Sequence, residues 1–333
     1  MTYFAAVAFA CACALCATSC GQPEEPASPD EVISFNSLAT ESRAVITDNA
    51  TLQAACSSGD GIGVWGVVNN EFSTDAMLLD NAQLTYNTEW SYTPSRHWVR
   101  NSLHEFWALY PYSEDGCVFD VAAGTVTRNN ITLGASEANN VDYMCAINSR
   151  DLRLPDATTA PVPLEMMHAL SLLEFKFVNA LGEVRRVTNI NLSGLKYKGS
   201  ITFGKDGSLG GALDGKMDVR VDADGTLAAV GIYEGLCSTS PIPKNLSTKH
   251  NLFENVGGVI VMPQQVEGKS VLFGLSVEST GGSVANYEIN LGIMPPAEWV
   301  PGKKYIYTIT LTSTNITYDV RVVDWVKDSV ELS

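Results

Sequence analysis

The residue whose surroundings most clearly indicate chemistry is Cys20. It ends an apolar, uncharged segment rich in small residues (residues 2–19), and Ala17-Thr18-Ser19-Cys20 places small residues directly before the thiol. This order looks like a lipobox, in which a small residue precedes a cysteine that becomes acylated at the end of a signal peptide. A single acyl chain anchors only marginally, so a stable hold would need two or three. The sequence therefore predicts a signal peptide over residues 1–20 and lipidation at Cys20.

The segment before Cys20 contains neither Lys nor Arg. Either the amino group alone supplies the positive charge that export signals need, or the natural start lies upstream of Met1. A buried apolar N-terminal element is the other interpretation. The abrupt change to GQPEEPASPDE (residues 21–31) disfavours it, because three prolines and four carboxylates predict an extended, solvated tether.

Four cysteines remain beyond the signal peptide and the acylated residue: Cys56, Cys117, Cys145 and Cys237. Export permits disulfides, and four cysteines allow three pairings between which the sequence does not choose. Their wide and irregular spacing is unlike that of a zinc site. Buried free thiols are an equally good interpretation.

The histidines and the short motifs do not indicate an enzyme. His97, His104, His168 and His250 lack metal-ligand spacing, and the chain contains no nucleophile elbow and no phosphate-binding loop. His168 lies in an apolar run, which favours a core histidine. We therefore expect no catalytic residues, no metal and no cofactor. A glycan hydrolase, the enzyme alternative, would need a cleft with two close carboxylates and exposed tryptophans.

The tryptophans divide into two groups by their surroundings. Trp65, Trp107 and Trp325 lie in apolar runs and are predicted to be core residues. Trp90 and Trp98 flank the polar stretch SYTPSRH, so they could be exposed and form a weak glycan-contact site. Packing in the core or against a loop is the commoner role for such residues.

The net charge argues against nucleic-acid binding. It is −16, with 21 basic and 37 acidic residues, and no basic run occurs. Because phosphate binding requires clustered cations, a nucleic-acid partner is not expected.

Alternation of apolar and polar residues predicts many short strands, as in GVWGVV (63–68) and YIYTITLT (305–312). Turn signals separate these runs, which favours antiparallel β-sandwiches. The loop-rich stretch 148–163 is the best boundary and predicts domains over 44–160 and 161–333. Just after it, LEMMHALSLLEFKF (164–177) is predicted to form two strands around a tight corner.

The C-terminal stretch EWVPGKKYIYTITLTSTNITYDVRVVDWV (298–326) resembles the end of fimbrillin-family proteins, the lipoprotein pilins. Those proteins typically read W-x-x-G-x-x-Y-x-Y, then a Thr/Leu strand, then alternating apolar residues and a Trp. GIGVWGVV (61–68), FWALYP (106–111), the corner segment and MPQQV (262–266) resemble further family segments in the same order. The likeness covers almost the whole chain through this ordered set.

The resemblance implies two transthyretin-like β-sandwich domains in tandem, with antiparallel Greek-key strands, behind a lipidated N-terminus. It implies an outer-membrane lipoprotein that an Arg-specific protease cuts near the start of the core, which removes the first strand. Arg43 occupies that place and is followed by Ala44, after 42 residues without Lys or Arg. The tether and cleavable strand would be residues 21–43, with Ile33 and Phe35 filling an apolar groove.

A strand from a neighbouring subunit would then fill the opened groove by β-augmentation. The candidate donor strand is VKDSVELS (326–333), in which Val326, Val330 and Leu332 share one face and Asp328 interrupts it. Head-to-tail donation does not close on itself and makes a fibre.

Two functions follow from these expectations. The first is a structural subunit of an adhesive fimbria at the cell surface, with other pilin subunits as its partners. The second is a surface-anchored lipoprotein of the same fold that does not polymerise and binds a glycan or a host ligand.

Overall fold

The structure is a computed structural model that describes residues 31–39, 49–69, 76–133, 141–209, 212–213, 217–224, 242, 244–245, 248–252, 258–313 and 315–325. Strand accounts for 58% and helix for 4% of the residues. The predicted all-β sandwich class is therefore confirmed.

The strands are numbered in chain order within the described residues. The first nine are β1 (Phe35–Ala39), β2 (Ile62–Asn69), β3 (Ala76–Asn87), β4 (Glu89–Ser91), β5 (Leu103–Tyr110), β6 (Cys117–Asp120), β7 (Thr125–Thr132), β8 (Met144–Asp151) and β9 (Val162–His168). The next seven are β10 (Ser171–Asn179), β11 (Arg185–Ser193), β12 (Lys198–Lys205), β13 (Ala212–Leu213), β14 (Met217–Asp224), β15 (His250–Asn251) and β16 (Val259–Val261). The last six are β17 (Gln264–Gln265), β18 (Leu272–Ser279), β19 (Val284–Asn290), β20 (Glu298–Trp299), β21 (Lys303–Leu311) and β22 (Ile316–Asp324).

The first sandwich packs a seven-stranded sheet on a five-stranded sheet. The seven-stranded sheet has the order β1-β9-β8-β5-β2-β3-β4, and the five-stranded sheet has the order β13-β14-β12-β7-β6. Trp65, Trp107 and Phe203 are among the large buried side chains of the core between them. The seven-stranded sheet is apolar on its other face as well, where Phe35, Phe106 and Leu164 belong to a second core.

The second sandwich faces a five-stranded sheet with a three-stranded one. The larger sheet runs β15-β10-β21-β22 with β16 also paired to β10, and the smaller runs β11-β18-β19. As the alternation in YIYTITLT predicts, Tyr305, Tyr307, Ile309 and Leu311 all point into the core between these sheets. A two-stranded ladder joins β17 to β20.

Sheet membership does not change at the predicted boundary between residues 160 and 161. Strand β9 follows that boundary yet remains in the seven-stranded sheet, and β12, β13 and β14 return to the first sandwich after β10 and β11 have entered the second. The strands of the two sandwiches are therefore interleaved along the chain. A loop-rich stretch marks the end of a strand, but it does not say which sheet the next strand joins.

The predicted corner within residues 164–177 is confirmed. Strand β9 ends at His168, β10 begins at Ser171, and the two residues between them, Ala169 and Leu170, are fully buried. The sequence pattern did not predict the short helix α1 (Asn49–Ser57). Its Leu52 and Cys56 pack on the second core face of the seven-stranded sheet. A 3₁₀ turn covers Leu291–Ile293.

Candidate functional site

Residues 31–39, which we call the closing segment, lie between β9 and the chain that follows β4. Along one side β1 pairs in parallel with β9, from Phe35 opposite Val162 to Ala39 opposite Met166, and Val162 N–H donates to the Ser34 carbonyl at 2.9 Å. Parallel pairing requires a long connection between strands. The local alternation pattern therefore did not predict it.

The other side of the closing segment pairs with the chain that follows β4. Ile33 N–H donates to the Arg96 carbonyl at 2.8 Å, and Trp98 N–H donates to the Glu31 carbonyl at 3.1 Å. Between these bonds Val32 and His97 form an antiparallel bridge. The segment therefore pairs with β9 on one side and with residues 96–98 on the other.

The side chains of the closing segment alternate between core and solvent. Ile33 is 0% and Phe35 4% exposed, whereas Val32 and Asn36 are exposed. The Phe35 ring meets Tyr92 and Phe106 edge to face, with centroids 5.6 and 5.3 Å apart. Full burial of each such side chain stabilises the fold by about 1.5–3 kcal/mol. The structure thus places Ile33 and Phe35 on one face, in an apolar groove.

A polar contact fixes the segment's backbone from the side of β4. The Tyr92 hydroxyl donates to the Ile33 carbonyl at 3.0 Å and accepts from Arg96 N–H at 3.2 Å. Burial raises the pKa of this phenol, so it remains a neutral donor. One hydroxyl thereby ties the closing segment to the loop opposite it.

The aromatic floor of the groove includes Trp98, one of the two tryptophans that the sequence left as a weak glycan contact or a packed residue. It is packed, because Trp98 is 7% exposed and its ring meets those of His104 and Phe106 edge to face at 4.9 and 6.0 Å. The polar flanking residues suggested a surface position, but pairing with Glu31 draws Trp98 inward. Trp98 offers no open face to a sugar.

Trp90, the other predicted glycan contact, is half-buried in β4. Its ring meets Tyr86 edge to face at 5.2 Å, and both rings pack against the core beneath the closing segment. This packing accounts for the position of Trp90 without a ligand. A glycan contact at Trp90 would have to use the exposed part of its ring.

His104 lies fully buried beneath Trp98. Its Nε2 accepts from Val99 N–H at 3.1 Å, which requires the neutral ring. Desolvation lowers its pKa to about 4, and a backbone hydrogen bond with Ser102 opposes this only weakly. The groove floor is therefore uncharged at neutral pH.

The C-terminal end of the described chain is anchored in the first sandwich. Strand β22 belongs to the second sandwich, but the next residue, Trp325, is 2% exposed and stacks on His168 with ring centroids 4.0 Å apart. His168 Nδ1 lies 2.9 Å from an Asp142 carboxylate oxygen, and both side chains are fully buried. The core positions predicted for Trp325 and His168 are confirmed. The last described residue, Trp325, is thereby held beside the end of β9.

Several predicted site residues lie outside the described residues: Cys20, Arg43, Ala44, Val326, Val330 and Leu332. The chain is described up to Ala39 at the end of β1 and again from Asn49 at the start of α1. Arg43 and Ala44 therefore fall between the closing segment and the rest of the first sandwich.

The described cysteines are unpaired thiols. Cys56 and Cys145 are buried and Cys117 is partly buried, while Cys237 lies outside the described residues. Desolvation raises the pKa of Cys56 to about 12 and that of Cys145 further. These buried thiols are unreactive core residues at neutral pH.

Within the described part of the chain, no group of three or more His, Cys, Asp or Glu side chains has the geometry to hold a metal ion. None of its helices has both the length and the apolar composition needed to cross a bilayer.

The comparisons with known proteins agree with this architecture. A family model described as fimbrillin-like matches residues 42–325. A fimbrial protein from Bacteroides vulgatus has a similar structure, with 14% identity, a TM-score of 0.61, and coverage of 88% of this chain and 99% of that one. A Bacteroides ovatus protein provisionally described as a cell adhesion protein gives 16% identity, a TM-score of 0.53, and coverage of 90% and 99%. No curated protein matches the chain.

Proposed function

The chain belongs to the fimbrillin-like family, and from that premise we propose that it is a structural subunit of a cell-surface fimbria that serves adhesion. In this proposal the precursor is lipidated at Cys20 and reaches the outer membrane. It is then cut after Arg43 and polymerises by donor-strand exchange.

The observation that carries the proposal is the position of the closing segment. It contains the first described strand, lies upstream of Arg43, and holds Ile33 and Phe35 in the core while it pairs with β9 on one side and with residues 96–98 on the other. A cut after Arg43 would leave this segment bound by noncovalent contacts alone. Its release would also remove the anchor at Cys20.

Release of the segment would leave a groove suited to another strand. The outer edge of β9 would lose its partner, as would the Arg96 carbonyl and Trp98 N–H, and the sockets of Ile33 and Phe35 would open. Unpaired strand edges beside apolar sockets are templates for β-augmentation. Residues 21–43 carry five carboxylates and one arginine, so the formal net charge would change from −16 to −12.

The proposed donor is residues 326–333 of a neighbouring subunit. Val326, Val330 and Leu332 repeat the alternation with which Ile33 and Phe35 fill the groove. Because Trp325 fixes the start of this segment to its own subunit, each donated strand would link two subunits head to tail.

Controlled cleavage tests the mechanism. The chain from position 20 with Cys20→Ser, which cannot be acylated, is treated with an Arg-specific protease, and the new N-terminus and the native mass are measured. We expect a new terminus at Ala44 and a ladder of oligomers. A cut product that stays monomeric would refute strand exchange.

Matched variants separate cleavage from donation. Arg43→Lys should resist the Arg-specific protease but remain sensitive to trypsin, which cuts after either residue. Val330→Asp and Leu332→Asp should permit cleavage but block oligomers, because a charge would enter the groove. Ser329→Asp and Ser333→Asp, on the opposite face of the same segment, should behave like the parent.

Lipidation is tested in cells. Cys20→Ser should abolish incorporation of labelled palmitate and release the protein from the membrane fraction, while Ser19→Thr should preserve both. Labelling that persists in the Cys20→Ser variant would exclude Cys20 as the site.

Experiments on cells distinguish the fimbrial subunit from the alternative, a surface-anchored lipoprotein that does not polymerise and binds a ligand. The fimbrial proposal predicts that the Ala44 terminus appears in sheared fibres. A protein that keeps residues 20–43 and never enters the sheared fraction would instead support a binding role, for which the half-buried Trp90 is the first residue to test.

A further inference from the structure

The second sandwich ends in an unprotected strand. Within the described residues β22 pairs with β21 alone, through all nine of its residues, so its other edge has no strand partner there. Edge strands are normally protected by lysine, proline or a bulge. β22 contains no lysine and no proline, and its pairing with β21 is unbroken.

One face of β22 is apolar along its length. Ile316, Tyr318, Val320 and Val322 lie opposite Leu311, Ile309, Tyr307 and Tyr305 of β21. The β21 residues are at most 2% exposed, yet Tyr318 is 42% and Val322 47% exposed on the same face. Ile316 and Val320 are partly covered by the core. The apolar face therefore continues to an open edge.

The sequence of β22 is complementary to itself in one antiparallel register. If Val320 lies opposite Val320 of a second copy, Asp319 faces Arg321 twice and Tyr318 faces Val322 twice. Opposite charges and aromatic–β-branched pairs are both favourable across strands. Moving the centre of the pairing by one residue, which slides one strand past the other by two residues, places Asp319 opposite Asp319 or Arg321 opposite Arg321.

We infer that two copies of this chain associate through antiparallel pairing of their β22 strands, centred on Val320. The pairing joins two five-stranded sheets into one continuous sheet and covers Tyr318 and Val322 of both copies. The interface is isologous and involves neither the closing segment nor residues 326–333. It therefore forms sideways contacts between subunits, independently of strand exchange.

Charge reversal tests the register. Sedimentation equilibrium across a range of concentrations is measured on the uncut chain from position 20 with Cys20→Ser. Asp319→Arg alone places arginines opposite each other, and Arg321→Asp alone does the same with carboxylates, so each should raise the dimer dissociation constant about tenfold or more. The two variants mixed should form a heterodimer near parental affinity, because each Arg again faces an Asp.

A cysteine at the symmetry axis gives a second readout. Val320→Cys should form a disulfide-linked dimer on mild oxidation, because directly opposed Cβ atoms in a sheet lie about 4.5–5.5 Å apart. Val284→Cys, which is exposed on the edge strand β19, is the matched control and should form no disulfide-linked dimer under the same oxidation.

Three results would overturn the inference. These are a monomeric parent at every concentration, charge variants that dimerise as the parent does, and a mixture that fails to restore association. Dimers that instead disappear with Leu332→Asp would assign the contact to the C-terminal segment. Circular dichroism and melting curves identify any variant that fails to fold.

Discussion

The two sandwiches end in edge strands of similar pattern and opposite exposure. Ile33 and Phe35 alternate with polar residues and are buried, whereas Tyr318 and Val322 alternate in the same way and are nearly half exposed. The difference comes from what lies beyond each strand. The closing segment pairs on both sides, and β22 pairs on one. Alternation thus specifies which face is apolar, and topology decides whether that face is covered.

The largest expected effect is the loss of the Phe35 ring. Phe35→Ala should lower the free energy of unfolding by about 3–5 kcal/mol, because the ring is buried among Tyr92 and Phe106 and leaves a cavity. Urea denaturation measures the change, with the exposed neighbour substitution Asn36→Ala as the control. Equal effects of Phe35→Ala and Tyr318→Ala would eliminate the contrast between the two edges.

The next effect is a loss of folding stability in acid that comes from His104 in the floor of the groove. The pKa of His104 is about 4 in the folded protein and about 6.5 when the chain is unfolded. Its contribution is complete above pH 6.5 and is lost as the pH falls toward 4, by up to about 3 kcal/mol, because the unfolded chain binds the proton.

Denaturation at several pH values between 4.5 and 6.5 checks this. His104→Gln should flatten the profile in that window, while His97→Gln, at an exposed position, should leave it unchanged. A slope that survives in His104→Gln would assign the acid sensitivity to other groups.

An intermediate effect is expected at β4, the opposite edge of the seven-stranded sheet. Trp90→Ala should destabilise the protein by about 1–2 kcal/mol, because its ring is half-buried and has one aromatic partner. Trp98→Ala, at a buried position, should cost more. Equal losses at Trp90 and Trp98 in thermal or urea denaturation would show that β4 is as closed an edge as β1.

The smallest effect on stability is expected at the open edge. Val322→Thr retains β propensity and should change the free energy of unfolding by no more than about 0.5 kcal/mol. It should nevertheless weaken the association of two copies in sedimentation. A large loss of monomer stability would mean that Val322 is a core residue.

The sequence supported predictions that depend on neighbouring residues. Alternation located β2 and β21, and the apolar pattern of residues 164–177 located the corner between β9 and β10, because successive side chains of a strand point to opposite faces. The core positions of Trp65 and Trp107 followed from the apolar runs around them.

The sequence did not predict which strands pair with partners far away in the chain. Nothing near Phe35 indicates a parallel partner 127 residues later at Val162, and nothing near β12 indicates that it returns to the first sandwich. The position of Trp98 was left open for the same reason, since its N–H pairs with the distant Glu31 carbonyl. The sequence therefore predicted that Ile33 and Phe35 fill an apolar groove. The structure identifies β9 and the chain after β4 as the two sides of that groove.

Hydrogen exchange of β9 tests the central claim most directly. The measurement follows the amides of Val162, Leu164 and Met166, which alternate along the side of β9 that faces β1, in the Leu332→Asp variant, whose own tail should not fill the groove. Exchange is compared before and after cleavage at Arg43. We expect these amides to be protected before the cut and to exchange rapidly after it. Addition of a peptide with the sequence of residues 326–333 should restore their protection. Amides that stay protected after the cut, or that the peptide leaves unprotected, would contradict the claim that the closing segment is a removable strand whose place another subunit takes.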